Sequence, residues 1–161
     1  MKPFAAFAFF VTIFFHSFGQ NNQTGISLIP LPVSLKEGKG RFILKRTTNI
    51  NLTTKDTDAK RVADLFCDNL SRATGYSIPV KNVQAATGTS GNITFSIVND
   101  PSLRDEGYKL NITPTGVYIT AYKPAGLFYG MQTLLQLFPK EIAGKTIANK
   151  KVWPRAKLFC E

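Results

Sequence analysis

Two adjacent carboxylates, Asp105 and Glu106, have side chains suited to general acid–base chemistry. A carboxyl group that acts as a catalytic acid needs a walled pocket that raises its pKa. This pair instead lies in a polar stretch that leads directly into a predicted strand beginning at Gly107. We therefore interpret Asp105 and Glu106 as solvated loop carboxylates and predict no catalytic residue in this chain.

Metal and cofactor chemistry has few candidate residues. The one histidine, His16, lies in an N-terminal segment that we predict to be removed, so we expect no bound metal and no cofactor. Cys67 and Cys160 could form a disulfide in an exported protein. A disulfide requires Cα atoms about 4.4 to 6.8 Å apart, and nothing in the sequence brings these two together. We favour two unrelated cysteines, with Cys67 as a small packing residue.

The N-terminus has the pattern of an export signal. Lys2 is followed by an apolar run over residues 4–15 and then by the small residues Ser17 and Gly19. The run is shorter than the roughly 20 apolar residues that span a bilayer. We predict a signal peptide over residues 1–19 and a periplasmic or extracellular protein with no stable membrane span; an uncleaved membrane anchor is the alternative.

The formal net charge of +10 raises the question of an anionic partner. The lysines and arginines are scattered, and only residues 145–157 are densely basic. No basic stripe alternates with aromatic residues, as single-strand binding requires. The sequence therefore argues against a nucleic-acid partner.

Two segments have the period of amphipathic helices. Apolar residues recur at helical spacing over residues 58–74, with candidate capping residues from Asp56 onward and Gly75 just past the end. A second helix is predicted over residues 124–138, because Pro124 suits a first helical turn and Pro139 ends the pattern.

Short β-type runs make up the rest of the predicted domain. They are residues 41–44, 48–52, 78–80, 92–98, 107–112 and 116–122. The last two runs indicate a hairpin, and residues 26–33, broken by prolines, indicate an edge strand or an extended lead-in. Because no regular βαβ repeat is present, we predict an α+β fold: an open, largely antiparallel sheet with two helices packed on one face.

Three blocks of sequence carry a resemblance to a known family. They are Ile29-Pro30-Leu31-Pro32 followed by Glu37-Gly38, then Glu106-Gly107-Tyr108, then the run PAGLFYGMQTLLQLFP from Pro124 to Pro139. In this order they resemble the N-terminal, non-catalytic domain of the family 20 β-N-acetylhexosaminidases, which places that domain at residues 26–140. Residues 141–161 depart from the family pattern, and we interpret them as a truncated or aberrant tail where the catalytic barrel would begin.

The resemblance implies a function that depends on a second domain. Enzymes of this family hydrolyse terminal N-acetyl-D-hexosamine residues, using an Asp-Glu pair that follows a His-x-Gly-Gly motif in their catalytic barrel. Asp105 and Glu106 do not follow such a motif. The resemblance therefore implies an enzyme fragment that is inactive alone, whose partner is the missing barrel and which meets a glycan substrate only through that barrel. It assigns no substrate-binding residue.

The second predicted helix contains candidate interdomain packing residues. Gly126 and Gly130 lie four residues apart and so share one face, which lets the backbone approach a neighbouring surface closely. That surface is either the domain's own sheet or, as the resemblance implies, the catalytic barrel. With Tyr129 they are the residues we expect at the edge of an interdomain surface.

A stand-alone module is the alternative to an enzyme fragment. An exported domain without activity could bind a glycan or a protein through aromatic side chains. The candidates are Tyr118, Tyr122, Phe128 and Tyr129. Core or interface packing is the competing explanation for all four, since a sugar platform needs several aromatic side chains on one flat face.

Overall fold

The computed structural model describes residues 28–85, 90–139, 142 and 156–160. The helices in this part of the chain are α1 (Thr57–Thr74) and α2 (Pro124–Leu137). The strands are β1 (Lys36–Phe42), β2 (Ile50–Leu52), β3 (Val80–Asn82), β4 (Asn92–Ile97), β5 (Tyr108–Thr113), β6 (Gly116–Ala121) and β7 (Ala156–Cys160). The predicted signal peptide lies outside the described residues.

Both ends of α1 are fixed by local sequence, as predicted. The carboxylate of Asp56 accepts hydrogen bonds from the backbone amides of Asp58 and Ala59, each at 2.8 Å. These bonds satisfy two of the amide donors that an N-terminal helical turn leaves without partners. Gly75 ends the helix with a left-handed φ of 69°, and its amide donates to the carbonyl of Ser71 at 2.8 Å.

The main sheet confirms the α+β class but not the predicted strand directions. Its five strands run in the order β3-β2-β4-β6-β5. Only β5 and β6, the predicted hairpin, are antiparallel, whereas β2–β3, β2–β4 and β4–β6 are parallel pairs. The expectation of a largely antiparallel sheet was therefore wrong. Parallel neighbours need a long connection, and the chain provides it through α1 between β2 and β3 and through β5 between β4 and β6.

The two helices pack on the same face of this sheet, as predicted. Phe95 of β4 lies directly beside Ile119 of β6 in the register, so both side chains point to one face. The ring of Phe66 in α1 stacks on Phe95 with centroids 5.6 Å apart. Gly130 in α2 lies against Ile119. The hydrophobic core therefore fills the space between the two helices and one sheet face.

Strand β7 was not predicted from the sequence. It lies within residues 141–161 and pairs antiparallel with β1, with a register shift between Glu37 and Arg41. An edge strand or an extended lead-in was predicted at residues 26–33. Residues 28–35 form a lead-in to β1 that has no strand pairing and bends at residues 29–30 and 33–34.

Cys67 is a free, partly buried thiol that packs against the core, as predicted. Its Sγ lies 2.8 Å from the carbonyl oxygen of Ile78 and donates a hydrogen bond to it.

Neither described helix is long and apolar enough to cross a membrane.

Candidate interaction surface

The carboxylates Asp105 and Glu106 are exposed side chains in the turn that precedes β5. The turn follows a 3-10 helix over Pro101–Leu103. Neither carboxylate lies in the kind of walled pocket that a catalytic acid needs. Among the residues that the structure describes, no group of three or more His, Cys, Asp or Glu side chains could hold a metal ion.

Asp100, at the start of the same loop, is held in its ionised form. A hydrogen bond from the hydroxyl of Ser102, 2.5 Å away, is the main cause that lowers the pKa of Asp100 below its usual value. The Ser102 amide and the Lys109 ammonium, at 3.2 and 3.4 Å, lower it further. This carboxylate caps the 3-10 turn and is unsuited to act as an acid.

Gly126 and Gly130 both face the sheet of this domain. A Cβ atom at Gly126 would overlap the carbonyl oxygen of Gly107 and lie 2.9 Å from the Cβ of Ala121. At Gly130 it would lie 2.5 Å from a methyl group of Ile119. The close backbone approach that the two glycines permit is therefore made to the domain's own strands. Their place at the edge of an interdomain surface stays a prediction.

A hydrogen bond between side chains fixes the position of α2 on the sheet. The hydroxyl groups of Tyr108 in β5 and Thr133 in α2 are 2.5 Å apart, and Thr133 is buried. The bond joins the hairpin edge to the middle of the helix and helps to hold the buried side of α2 against the sheet.

The outward side of α2 carries two exposed aromatic residues. Phe128 is 36% and Tyr129 44% exposed, and their rings meet edge to face with centroids 5.8 Å apart. Tyr129 therefore lies where it was predicted, on the surface of the second helix. Whether it contacts another domain stays a prediction.

The lead-in, residues 28–35, adds apolar side chains beside α2. Ile29 and Leu31 are 78% and 75% exposed, and Val33 is fully exposed. The side-chain amide of Gln136 in α2 fastens this segment, because it accepts from the Ile29 amide at 2.9 Å and donates to the Ile29 carbonyl at 2.8 Å. We call the exposed side chains of Ile29, Leu31, Val33, Phe128 and Tyr129 the apolar surface.

An apolar groove lies beneath the lead-in. Its volume is about 580 Å³, and it separates residues 28–35 from β5 and the last turn of α2. Leu103, Tyr108 and Leu137 contribute to its walls. The lead-in therefore contacts the rest of the domain over only part of its length.

The four aromatic residues proposed for a stand-alone binding module do not lie on one face of the domain. Tyr118 points to the sheet face opposite the helices, since its neighbours Val117 and Ile119 are buried in the core. Tyr122 lies at the end of β6, with the ammonium of Lys123 4.6 Å from its ring centroid. Only Phe128 and Tyr129 form a pair, so the four side chains do not make one sugar-binding platform.

Comparison with known proteins decides the family. The model of glycosyl hydrolase family 20, domain 2, matches residues 25–152. The chain belongs to this family. Among curated proteins, domain 2 of this chain is similar to a β-hexosaminidase of Porphyromonas gingivalis, with 34% identity over 118 residues, and to a lacto-N-biosidase of Bifidobacterium bifidum, with 27% identity over 143 residues.

Solved structures show the same relationship for domain 2. A mutant β-hexosaminidase of Streptomyces plicatus in complex with its product GlcNAc is 38% identical with a TM-score of 0.68, and the match covers 81% of this chain and 24% of that one. The family 20 β-N-acetylhexosaminidase of Streptomyces coelicolor is 35% identical with a TM-score of 0.68. That match covers 81% of this chain and 25% of the Streptomyces coelicolor chain.

This chain spans only a small part of its curated relatives. The match with the Porphyromonas protein covers 73% of this chain and 15% of that protein. The match with the Bifidobacterium protein covers 86% of this chain and 12% of that protein. Most of each relative therefore has no counterpart in the printed sequence.

Sequence reasoning missed the contribution of the lead-in to the apolar surface of domain 2. The available signal was the alternation of apolar residues at Ile29, Leu31 and Val33. No local pattern identifies Gln136 as the anchor, because it lies 107 positions from Ile29.

Proposed function

We propose that this chain is the non-catalytic domain 2 of an exported β-N-acetylhexosaminidase, an enzyme that removes terminal N-acetyl-D-hexosamine residues. The apolar surface carries the proposal. Its exposed aliphatic and aromatic side chains lie on one side of α2 and the adjoining lead-in, joined by the Gln136 hydrogen bonds. A group of large exposed apolar side chains is typical of an interaction site.

The catalytic barrel of the same enzyme is the partner that this surface would cover. The names of the similar proteins and their far greater length support this assignment. Domain interfaces within one chain typically bury about 600–1,500 Å². Export to the periplasm or the medium is part of the proposal and rests on residues 1–19 alone.

Activity of the purified chain is the first test. We expect no hydrolysis of p-nitrophenyl N-acetylglucosaminide above the buffer rate, because the one adjacent carboxylate pair, Asp105-Glu106, is exposed to solvent. Turnover that Asp105→Asn or Glu106→Gln abolishes would overturn the non-catalytic assignment.

A chimera tests the partner. Residues 26–140 of this chain would replace domain 2 of the Streptomyces plicatus relative, and we expect a folded, active enzyme. Replacing both Phe128 and Tyr129 with lysine should reduce its yield and thermal stability, because two charges would be buried at the interface. The control Asn111→Lys adds a charge on the opposite sheet face and should change neither the yield nor the thermal stability of the chimera. Equal loss from the control and the double variant would contradict a barrel contact at α2.

A further inference from the structure

The sheet face opposite the helices has a polar row that crosses the whole sheet. Each residue of the row lies directly beside the next in the strand register. The row consists of Lys81, Asn51, Thr94, Tyr118 and Asn111, from β3 to β5. Adjacent strands lie about 4.8 Å apart, so the row is roughly 20 Å long. It carries amide, hydroxyl and phenol groups, one terminal cation and no carboxylate.

Tyr118 lies along its own strand. A Cβ atom at Gly116, two residues earlier on the same face, would be 3.2 Å from the phenol oxygen and 3.4 Å from the ring carbon Cε2. The ring therefore extends over the glycine, and the absent side chain at Gly116 makes room for it. A partly exposed ring in this position can stack against the C–H face of a pyranose.

Asn51 and its neighbour Thr94, the latter next to Tyr118 in the row, are more buried than a solvated sheet face explains. They are 6% and 4% exposed. Within the described part of the chain, neither side chain has a hydrogen-bond partner. Buried polar groups normally have such partners, so both side chains keep hydrogen-bonding capacity that a ligand could use.

We propose that this row binds a β-linked N-acetylhexosamine oligosaccharide, an inference that rests on the proposed function. One sugar ring stacks on Tyr118, its acetamido or hydroxyl groups hydrogen-bond to Asn51 and Thr94, and the next ring reaches Asn111. The groups of the row favour a neutral sugar chain over other partners. A single lysine at one end is too little for a polyanion, and the centre lacks the apolar residues typical of the core of a protein interface.

The test uses the purified, ¹⁵N-labelled chain and chitotetraose as the probe. We expect amide shifts on β2, β4, β5 and β6 that saturate with sugar concentration. Tyr118→Leu keeps an apolar cover over Gly116 and should weaken binding about tenfold, the equivalent of losing one aromatic contact. Asn111→Ala should also weaken binding. Tyr129→Leu, the same change on α2, should leave binding unchanged.

Two results would overturn the proposal: no shifts at millimolar chitotetraose, or shifts confined to α2 and the lead-in. The chimera separates this failure from that of the proposed function. Its hydrolysis of p-nitrophenyl N-acetylglucosaminide tests the proposed function without using the row. An active chimera, together with an isolated chain that shows no amide shifts with chitotetraose, would therefore refute the glycan row alone.

Discussion

Gly126 is the residue at which helix propensity and packing oppose each other most directly. Alanine is favoured over glycine inside a helix by about 1 kcal/mol. At Gly126, however, the added methyl would overlap the backbone carbonyl of Gly107, which cannot rotate away as a side chain could. Packing should therefore decide whether Gly126→Ala raises or lowers the free energy of unfolding.

We expect Gly126→Ala to lower the free energy of unfolding by about 1–3 kcal/mol, the usual cost of overpacking. Chemical denaturation followed by circular dichroism measures it. Ala125→Gly, at the exposed neighbouring position, is the control and should cost only the propensity difference of about 1 kcal/mol. A Gly126→Ala variant at least as stable as the wild type would show that α2 does not approach Gly107 closely.

Ser102 controls the protonation of Asp100 in the loop before β5. Because its hydroxyl is the main cause that lowers the pKa of Asp100, we expect Ser102→Ala to raise that pKa toward the usual value. An NMR titration of the Asp100 carboxyl carbon measures the change, and Lys109→Met should change it less. The lowered pKa stabilises the fold above the unfolded-state pKa, and this contribution is lost as the pH falls through the folded-state value. An unchanged pKa in Ser102→Ala would contradict the assigned cause.

At the scale of elements, Gln136 makes the hydrogen bonds that join the lead-in to α2 within the described part of the chain. Two hydrogen bonds from Gln136 hold Ile29, and the groove beneath leaves much of the segment without further support. Such weakly held segments open locally without unfolding the domain.

We expect Gln136→Leu to reduce the hydrogen-exchange protection of the Ile29 amide by about fivefold, since a hydrogen bond contributes about 1 kcal/mol. Protection of the β6 amides should not change. Gln132→Leu, about one turn earlier on α2, is the matched control. If the Ile29 amide stays equally protected in Gln136→Leu, the glutamine is not the anchor.

At the scale of the whole molecule, the apolar surface determines how the isolated chain behaves. A monomer that exposes an interface of several hundred Å² tends to associate with itself. We expect the purified chain to self-associate at tens of micromolar, and Tyr129→Lys to reduce this association because a charge resists burial.

Dynamic light scattering measures this association. Asn111→Lys, which adds the same charge on the other sheet face, should associate like the wild type. A monodisperse monomer indistinguishable from Tyr129→Lys would count against a missing partner domain and favour the stand-alone module.

The sequence by itself determined the features that depend on near neighbours. Asp56 and Gly75 fixed the ends of α1. Apolar spacing predicted most of the inner face of each helix, although Leu65 and Phe128 of the same pattern are exposed. The β5–β6 hairpin followed from its short turn. A cap, a helical repeat and a tight turn each involve residues only a few positions apart, so their signals are complete within a short stretch of sequence.

Only the tertiary structure decided the features that join distant residues. The parallel pairing of β2, β4 and β6, the contact of β1 with β7 and the Gln136 anchor link positions far apart in the chain. The polar row is also of this kind, because its members come from five strands. From the sequence, Gly126 could face either its own sheet or another domain. The close contact with Gly107 shows that it faces its own sheet. Strand order and register result from competition among all possible pairings, which no local pattern encodes.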